Sequence, residues 1–284
     1  MEITAILVPA AILGGIGVLL GGAIAVANRV FWVWSDPRID GTEELLPGTN
    51  CGACGEPGCR AFAEALVAGR QTPAECTNMS AEEREDVAAY LGTDVGEAEK
   101  RVARLLCAGG SDVAPREADY RGAVSCAAAV AVTGGGKACS WGCVGLGDCA
   151  VACDYDAIRM SDVQLPVVDP ELCTACEDCV AACPLDLFVV WPVSRQLIVQ
   201  CRSLLQGDAA TSLCAAACDA CGRCAVDAAP GLIEMKNGLP VIDYARNELA
   251  TPEATLRCPT GAIQWVVGAQ FQEREAAAGA ALLR

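Results

Sequence analysis

The chain opens on an uncharged apolar run from Ile3 to Asn28, and no second run of that length follows. Coiled as a helix at ~1.5 Å per residue it would span roughly 37 Å, enough to cross a bilayer. Beyond it the apolar positions come in short groups. Arg60 to Ala68 is alanine-rich and carries Phe62, Leu66 and Val67, which predicts a short helix. Residues 80–105 are polar and charged, and Ser80 with Glu83 has capping-box spacing, so a solvated helical connector is expected there. Leu165-Pro166-Val167 and Leu239-Pro240-Val241 sit near turn residues such as Asn237-Gly238, and predict paired short strands. The expected fold class is α+β. An N-terminal transmembrane helix occupies 1–30, a small four-cysteine domain 36–80 and a connector 81–119. Two further modules follow at 120–193 and 194–268, the second degenerate, and then a tail at 269–284.

Composition narrows the chemistry. Only 5% of the 284 residues are aromatic and 51 are alanine, so there is little bulk for one large core. Histidine is absent, which removes His-based acid/base catalysis, His-containing zinc sites, Rieske centres and His-ligated haem. A formal charge of −16 argues against nucleic acid as a partner. The 20 cysteines are left to carry the function or to staple the fold.

Disulfide staples suit short secreted chains, and the N-terminal run does not read as a cleaved secretion signal. Such a signal begins basic and has a shorter apolar stretch; this one starts Met1-Glu2, although Ala25-Val26-Ala27 resembles a cleavage site. Arg29 and Arg38 follow the run, so the positive-inside rule puts the N-terminus outside and the cysteines in the reducing cytoplasm. Phe31, Trp32 and Trp34 form an expected aromatic anchor, and Gly17 with Gly21 offers a face for another membrane helix.

The first cysteine group, Cys51, Cys54, Cys59 and Cys76, has spacing C-x2-C-x4-C-x16-C with glycines at 52, 55 and 58. Four thiolates without histidine fit zinc or an iron–sulfur cluster equally well on spacing alone. The second group is more specific. Cys173, Cys176, Cys179 and Cys183-Pro184 match C-x2-C-x2-C-x3-C-P, the run of two-cluster bacterial ferredoxins, whose fourth cysteine serves the other cluster. Crossing the ligands puts one [4Fe–4S] cluster on Cys153, Cys173, Cys176 and Cys179. A second falls to Cys143, Cys149 and Cys183, with Cys139 as the expected fourth ligand because Leu146 stands where a cysteine is usual. The company of this motif tips Cys51–Cys76 toward iron–sulfur as well.

A shift of 75 residues reveals an internal repeat. Cys126, Cys139, Cys143 and Cys149 fall on Cys201, Cys214, Cys218 and Cys224, and Cys183-Pro184 falls on Cys258-Pro259. Cys153, Cys173, Cys176 and Cys179 fall instead on Ala228, Glu248, Thr251 and Ala254, so the second copy lacks one whole ligand set. It keeps the other, with Cys221 filling the position of Leu146: Cys218, Cys221, Cys224 and Cys258. Four cysteines remain: Cys107, Cys126, Cys201 and Cys214. They make either a fifth cluster tying the modules together or buried free thiols. In a third arrangement Cys107 serves the Cys143 site and Cys139 joins the leftover set. No acid/base or nucleophilic constellation and no G-x-G-x-x-G turn is present, and Gly134-Gly135-Gly136-Lys137 lacks phosphate-loop spacing.

Taken together, the N-terminal run, Cys51-Gly-Ala-Cys54-Gly-Glu-Pro-Gly-Cys59, Tyr120-Arg-Gly122, Gly134 through Cys149 and the ferredoxin runs resemble the long, polyferredoxin form of the B-type subunit of the Rnf complexes. These are membrane-bound, ion-translocating ferredoxin:NAD⁺ oxidoreductases. The resemblance implies an electron-transfer subunit, without a complete catalytic site of its own, in the bacterial cytoplasmic membrane. It implies exchange of electrons with soluble ferredoxin, a flavin- and NAD-binding partner subunit, and integral membrane subunits that move Na⁺ or H⁺. The rival readings are a membrane-anchored polyferredoxin serving another oxidoreductase, and a zinc-bound adaptor.

Overall fold

The computed structural model describes residues 4–31 and 35–271. Trp32 and Trp34 of the expected aromatic anchor, and the tail beyond 271, lie outside them. Helix α1 runs Thr4–Val30. Within it Ile12–Val30 is long and apolar enough to cross a membrane, and Leu13, Val18, Leu19 and Ile24 are exposed on it. So much apolar surface is costly in water and is satisfied by lipid or by other apolar helices.

A small helical domain follows. Helix α2 (Pro37–Leu45) starts at Asp36, whose carboxylate accepts from the Arg38 backbone. Helix α3 (Cys59–Val67) buries Phe62 and Leu66 against Leu46, Met79 and Val87. Val87 belongs to helix α4 (Ala81–Leu91), so this domain extends past the expected boundary at residue 80. The capping box at its start forms as the spacing predicts: Ser80 Oγ accepts from Glu83 N–H at 3.2 Å, and the Glu83 carboxylate accepts from Ser80 N–H at 2.7 Å.

The connector is helical only as far as Leu91. Arg101–Leu105 is strand β1, not helix, because Val102, Ala103 and Leu105 bury against the module that follows. In that first module come helix α5 (Cys126–Thr133), α6 (Asp148–Val151), strands β2 (Ile158–Met160) and β3 (Pro166–Val168), helix α7 (Asp178–Ala182) and strand β4 (Phe188–Pro192). Strand β1 pairs antiparallel with β4, Val102 opposite Trp191 and Leu105 opposite Phe188, and β2 pairs with β3. The second module repeats this plan. Strand β5 (Leu197–Val199) pairs with β8 (Ile263–Trp265), and β6 (Ile233–Lys236) pairs with β7 (Leu239–Ile242) across the expected Asn237-Gly238 turn, where both residues have positive φ. Helices α8 (Gly207–Thr211), α9 (Arg223–Asp227) and α10 (Glu253–Leu256) complete it.

The modules are bonded together. Ala108 N–H donates to the Gln200 carbonyl at 2.9 Å. The buried Gln270 side chain accepts from Leu105 N–H at 2.8 Å and donates back to the Leu105 carbonyl at 3.0 Å. The buried Arg104 guanidinium donates to the Gly268 carbonyl at 2.6 Å.

Candidate metal centres

All 20 cysteines are free thiols, and sets of them share a cavity or stand side by side. Cys51, Cys54 and Cys59 surround Cys76, whose thiol is pushed up by burial and then by those three neighbours. The Cys59 N–H is held by the Asn50 side chain at 2.8 Å, and a Cβ on Gly58 would meet that amide oxygen at 2.8 Å, so glycine is needed there.

Cys153, Cys173, Cys176 and Cys179 line one cavity. Burial, then Cys173, Cys176, Cys149 and Cys153, push the Cys179 thiol up to about 12. Next to it, Cys143, Cys149 and Cys183 line a second cavity. The fourth cysteine there is Cys126, in place of the expected Cys139. Burial, then Cys126 and Cys183, push Cys149 up to about 12. Cys126 arrives at the first residue of α5, and Asp148 fixes it there. The Asp148 carboxylate accepts from Cys126 N–H at 2.8 Å, Ala127 N–H at 3.0 Å and the Ser125 hydroxyl at 2.9 Å. These bonds outweigh burial and hold the Asp148 carboxyl below the usual range. Sequence reasoning did not find Asp148; its place directly before Cys149 is the only signal it left.

In the second module Cys218 stands beside Cys224, and Cys224 beside Cys258 and Cys221, as expected from the repeat. The last four thiols, Cys107, Cys139, Cys201 and Cys214, line one further cavity between the modules. The Gly134-Gly135-Gly136 turn, with φ of 64°, 92° and 66°, delivers Lys137 to its edge. Lys137 Nζ donates to the Gly109 carbonyl and, at 2.9 Å, to the Cys143 carbonyl.

The loops between the ligands share one backbone. The residues two and four after the first cysteine have positive φ in each: Gly145 (81°) and Gly147 (87°), Ala175 (62°) and Glu177 (72°), Ala220 (63°) and Gly222 (71°). Alternating right- and left-handed residues turn successive N–H groups toward one concave side, where they favour anionic sulfur. Ala and Glu held at positive φ are strained, and such strain clusters at ligand sites. Four thiolates in one zinc site would stand about 3.8 Å apart, given Zn–S near 2.3 Å. Among the described residues no three cysteine, aspartate or glutamate side chains converge on a single-ion site. Three of the sets ring cavities instead, and with N–H groups turned inward they fit a four-iron cluster. A ferredoxin-type [4Fe–4S] protein is the class that this fold and these thiols define.

Sequence comparison sharpens the class. Residues 46–77 match a family described as a putative Fe-S cluster domain, and residues 139–187 match a 4Fe-4S dicluster domain. Over 261 residues the chain is 39% identical to the B-type subunit of the Na⁺-translocating ferredoxin:NAD⁺ oxidoreductase complex of Acetobacterium woodii, covering 92% of this chain and 78% of that protein. It is 35% identical to the B-type subunit of the ion-translocating oxidoreductase complex of Methanosarcina acetivorans, covering 89% and 96% of the two chains. It is 34% identical to the corresponding subunit of the proton-translocating ferredoxin:NAD⁺ oxidoreductase complex of Clostridium ljungdahlii, covering 91% and 92%. The chain belongs to the B-type subunit family of the ion-translocating ferredoxin:NAD⁺ oxidoreductase complexes, the Rnf complexes.

Proposed function

We propose that this chain is the membrane-anchored electron-relay subunit of such a complex, exchanging electrons with soluble ferredoxin and passing them to flavin-bearing partner subunits while Na⁺ or H⁺ is moved. Bound [4Fe–4S] clusters supply the one-electron chemistry, which no side chain here offers. Four cysteine sets hold them: Cys51, Cys54, Cys59 and Cys76; Cys153, Cys173, Cys176 and Cys179; Cys126, Cys143, Cys149 and Cys183; and Cys218, Cys221, Cys224 and Cys258. The chain's work is to position these sets.

The contiguity of the first two sets carries this reading. Thr77 Oγ1, next to Cys76, donates to the carbonyl of Thr174, next to Cys173, at 2.5 Å. Cys51, Cys54 and Cys176 border one groove, so the N-terminal domain is seated against the first module's ligand loop. Arg29 and Arg38 behind the anchor favour an orientation with these sets on the cytoplasmic side and the N-terminus outside.

The full chain, purified anaerobically in detergent, tests the proposal. It should be brown, should bleach stoichiometrically when reduced ferredoxin is added, and should co-purify with flavin-bearing membrane subunits from its native membrane. Tight zinc without iron, or no bleaching by ferredoxin, would sink it.

A further inference from the structure

We propose that Cys107, Cys139, Cys201 and Cys214 hold an additional [4Fe–4S] cluster, shared equally between the two modules and bridging their electron paths. The inference rests on the reading that the other four sets hold such clusters.

The four thiols are two copies of one pair. Cys107 lies two residues after the end of β1, and Cys201 lies two residues after the end of β5. Each sulfur accepts an N–H two residues ahead: Gly109 to Cys107 at 3.3 Å, Ser203 to Cys201 at 3.5 Å. Each also accepts the N–H of the first cysteine of its module's ligand loop, Cys143 to Cys107 at 3.3 Å and Cys218 to Cys201 at 3.3 Å. Cys139 and Cys214 each stand four residues before that same loop cysteine. Each has its carbonyl taken by the N–H three residues on, from Gly142 at 3.1 Å and Ala217 at 2.9 Å. Every module therefore contributes one strand-end thiol and one loop thiol, and neither can complete the set alone.

The surroundings suit a buried cluster. Cys139 and Cys214 are buried, and Ala114, Ala216, Ala217 and Trp141 wall the cavity. A Cβ on Gly109 would come within 3.1 Å of Cys214 Sγ and 3.5 Å of Cys107 Sγ, so glycine keeps the space between two thiols clear. Idle buried thiols would need neither the paired N–H donors on sulfur nor the Lys137 ammonium nearby. On ligation each thiol loses its proton to solvent, and the N–H donors and Lys137 favour the thiolate left behind.

The bonds from Cys143 and Cys218 also give this set its place. One N–H···S bond reaches the neighbouring set in the first module, and its counterpart reaches the set in the second. The shared site closes the gap between them.

Iron and acid-labile sulfide on the anaerobic full-length protein test this. Wild type should hold about twenty of each, at four per cluster. Cys201→Ala and Cys139→Ala should each lower the iron to about sixteen. The double variant should stay near sixteen, because both ligands serve one cluster; Cys126→Ala with Cys201→Ala should fall to about twelve, because those serve two. A wild type with about sixteen irons, unchanged by Cys201→Ala, overturns the bridging site and leaves the relay standing. A Cys139→Ala/Cys201→Ala protein that loses about eight irons also overturns the assignment. Zinc in place of iron in wild type would overturn both readings. Should the variants fail to accumulate, the wild-type count still decides between about sixteen and about twenty.

Discussion

The two ferredoxin modules each depart from a full set of ligands, in opposite ways. The first lacks one cysteine, at Leu146, yet the loop around it keeps the same alternation of φ as Cys218–Cys224, with Gly145 and Gly147 left-handed. A thiol from outside the loop, Cys126 on α5, lines the same cavity. The second has lost a whole set, and there the backbone has changed as well. Ala250 and Pro252 stand at the repeat positions of Ala175 and Glu177 but have φ of −72° and −65°, against 62° and 72°. Proline cannot adopt the left-handed conformation. The left-handed residues are present where the cysteines are and absent where the cysteines are absent.

Removing the iron should give the largest effect and should blur this comparison altogether. Each module has only two-stranded sheets and a core partly made of its own ligands, such as Cys149, Cys179 and Cys224. Chelation under reducing conditions should therefore abolish most of the near-ultraviolet circular dichroism in both modules together.

Next in size is the replacement of Cys126 by alanine, which should cost about four irons, as Cys221→Ala should in the other module. Adding Leu146→Cys to Cys126→Ala should restore them, converting the first module to the second module's pattern. No recovery would mean that the loop has diverged beyond its φ values. A smaller effect is expected from the cores. Leu105→Ala and Leu197→Ala, both fully buried, should each cost about 2–5 kcal/mol in denaturant unfolding of the loaded protein. A much larger loss for Leu105 would show that the second module leans on the first. The smallest expected effect is a graft of four cysteines at Ala228, Glu248, Thr251 and Ala254. It should add no iron while Pro252 remains, and a gain of about four would break the link between left-handed residues and cysteines.

Much of the site was legible because ligand spacing is local. The Ser80 cap and the Asn237-Gly238 turn could be read from short stretches, whereas the nearness of Cys183 to Cys149 and of Cys258 to Cys224 followed from the ferredoxin run and the 75-residue repeat. The error came from treating the repeat as a constant offset. A shift of 75 brings Cys126 onto Cys201, but Cys107 is 32 residues before Cys139 whereas Cys201 is 13 before Cys214. The first module thus carries 19 extra residues between its strand-end cysteine and its loop, and α5 lies in them. Locating that insertion needs β1, and β1 is five residues whose partner lies more than 80 positions away. A strand of that length, amid charged residues, shows its pattern only when the pairing is seen. Asp148 was hidden for a related reason: its role depends on which helix end it meets.

The return of the chain's far end to β1 has a consequence for how the protein is made. Leu105 leaves the ribosome 165 residues before the Gln270 side chain that bonds both its backbone groups, and Cys107 leaves 107 residues before Cys214. The outer edge of the first strand and the nearby Cys107 thiol therefore wait uncovered until the chain's far end has been made. A cluster on the proposed set between the modules would therefore have to be inserted after Cys214 has emerged.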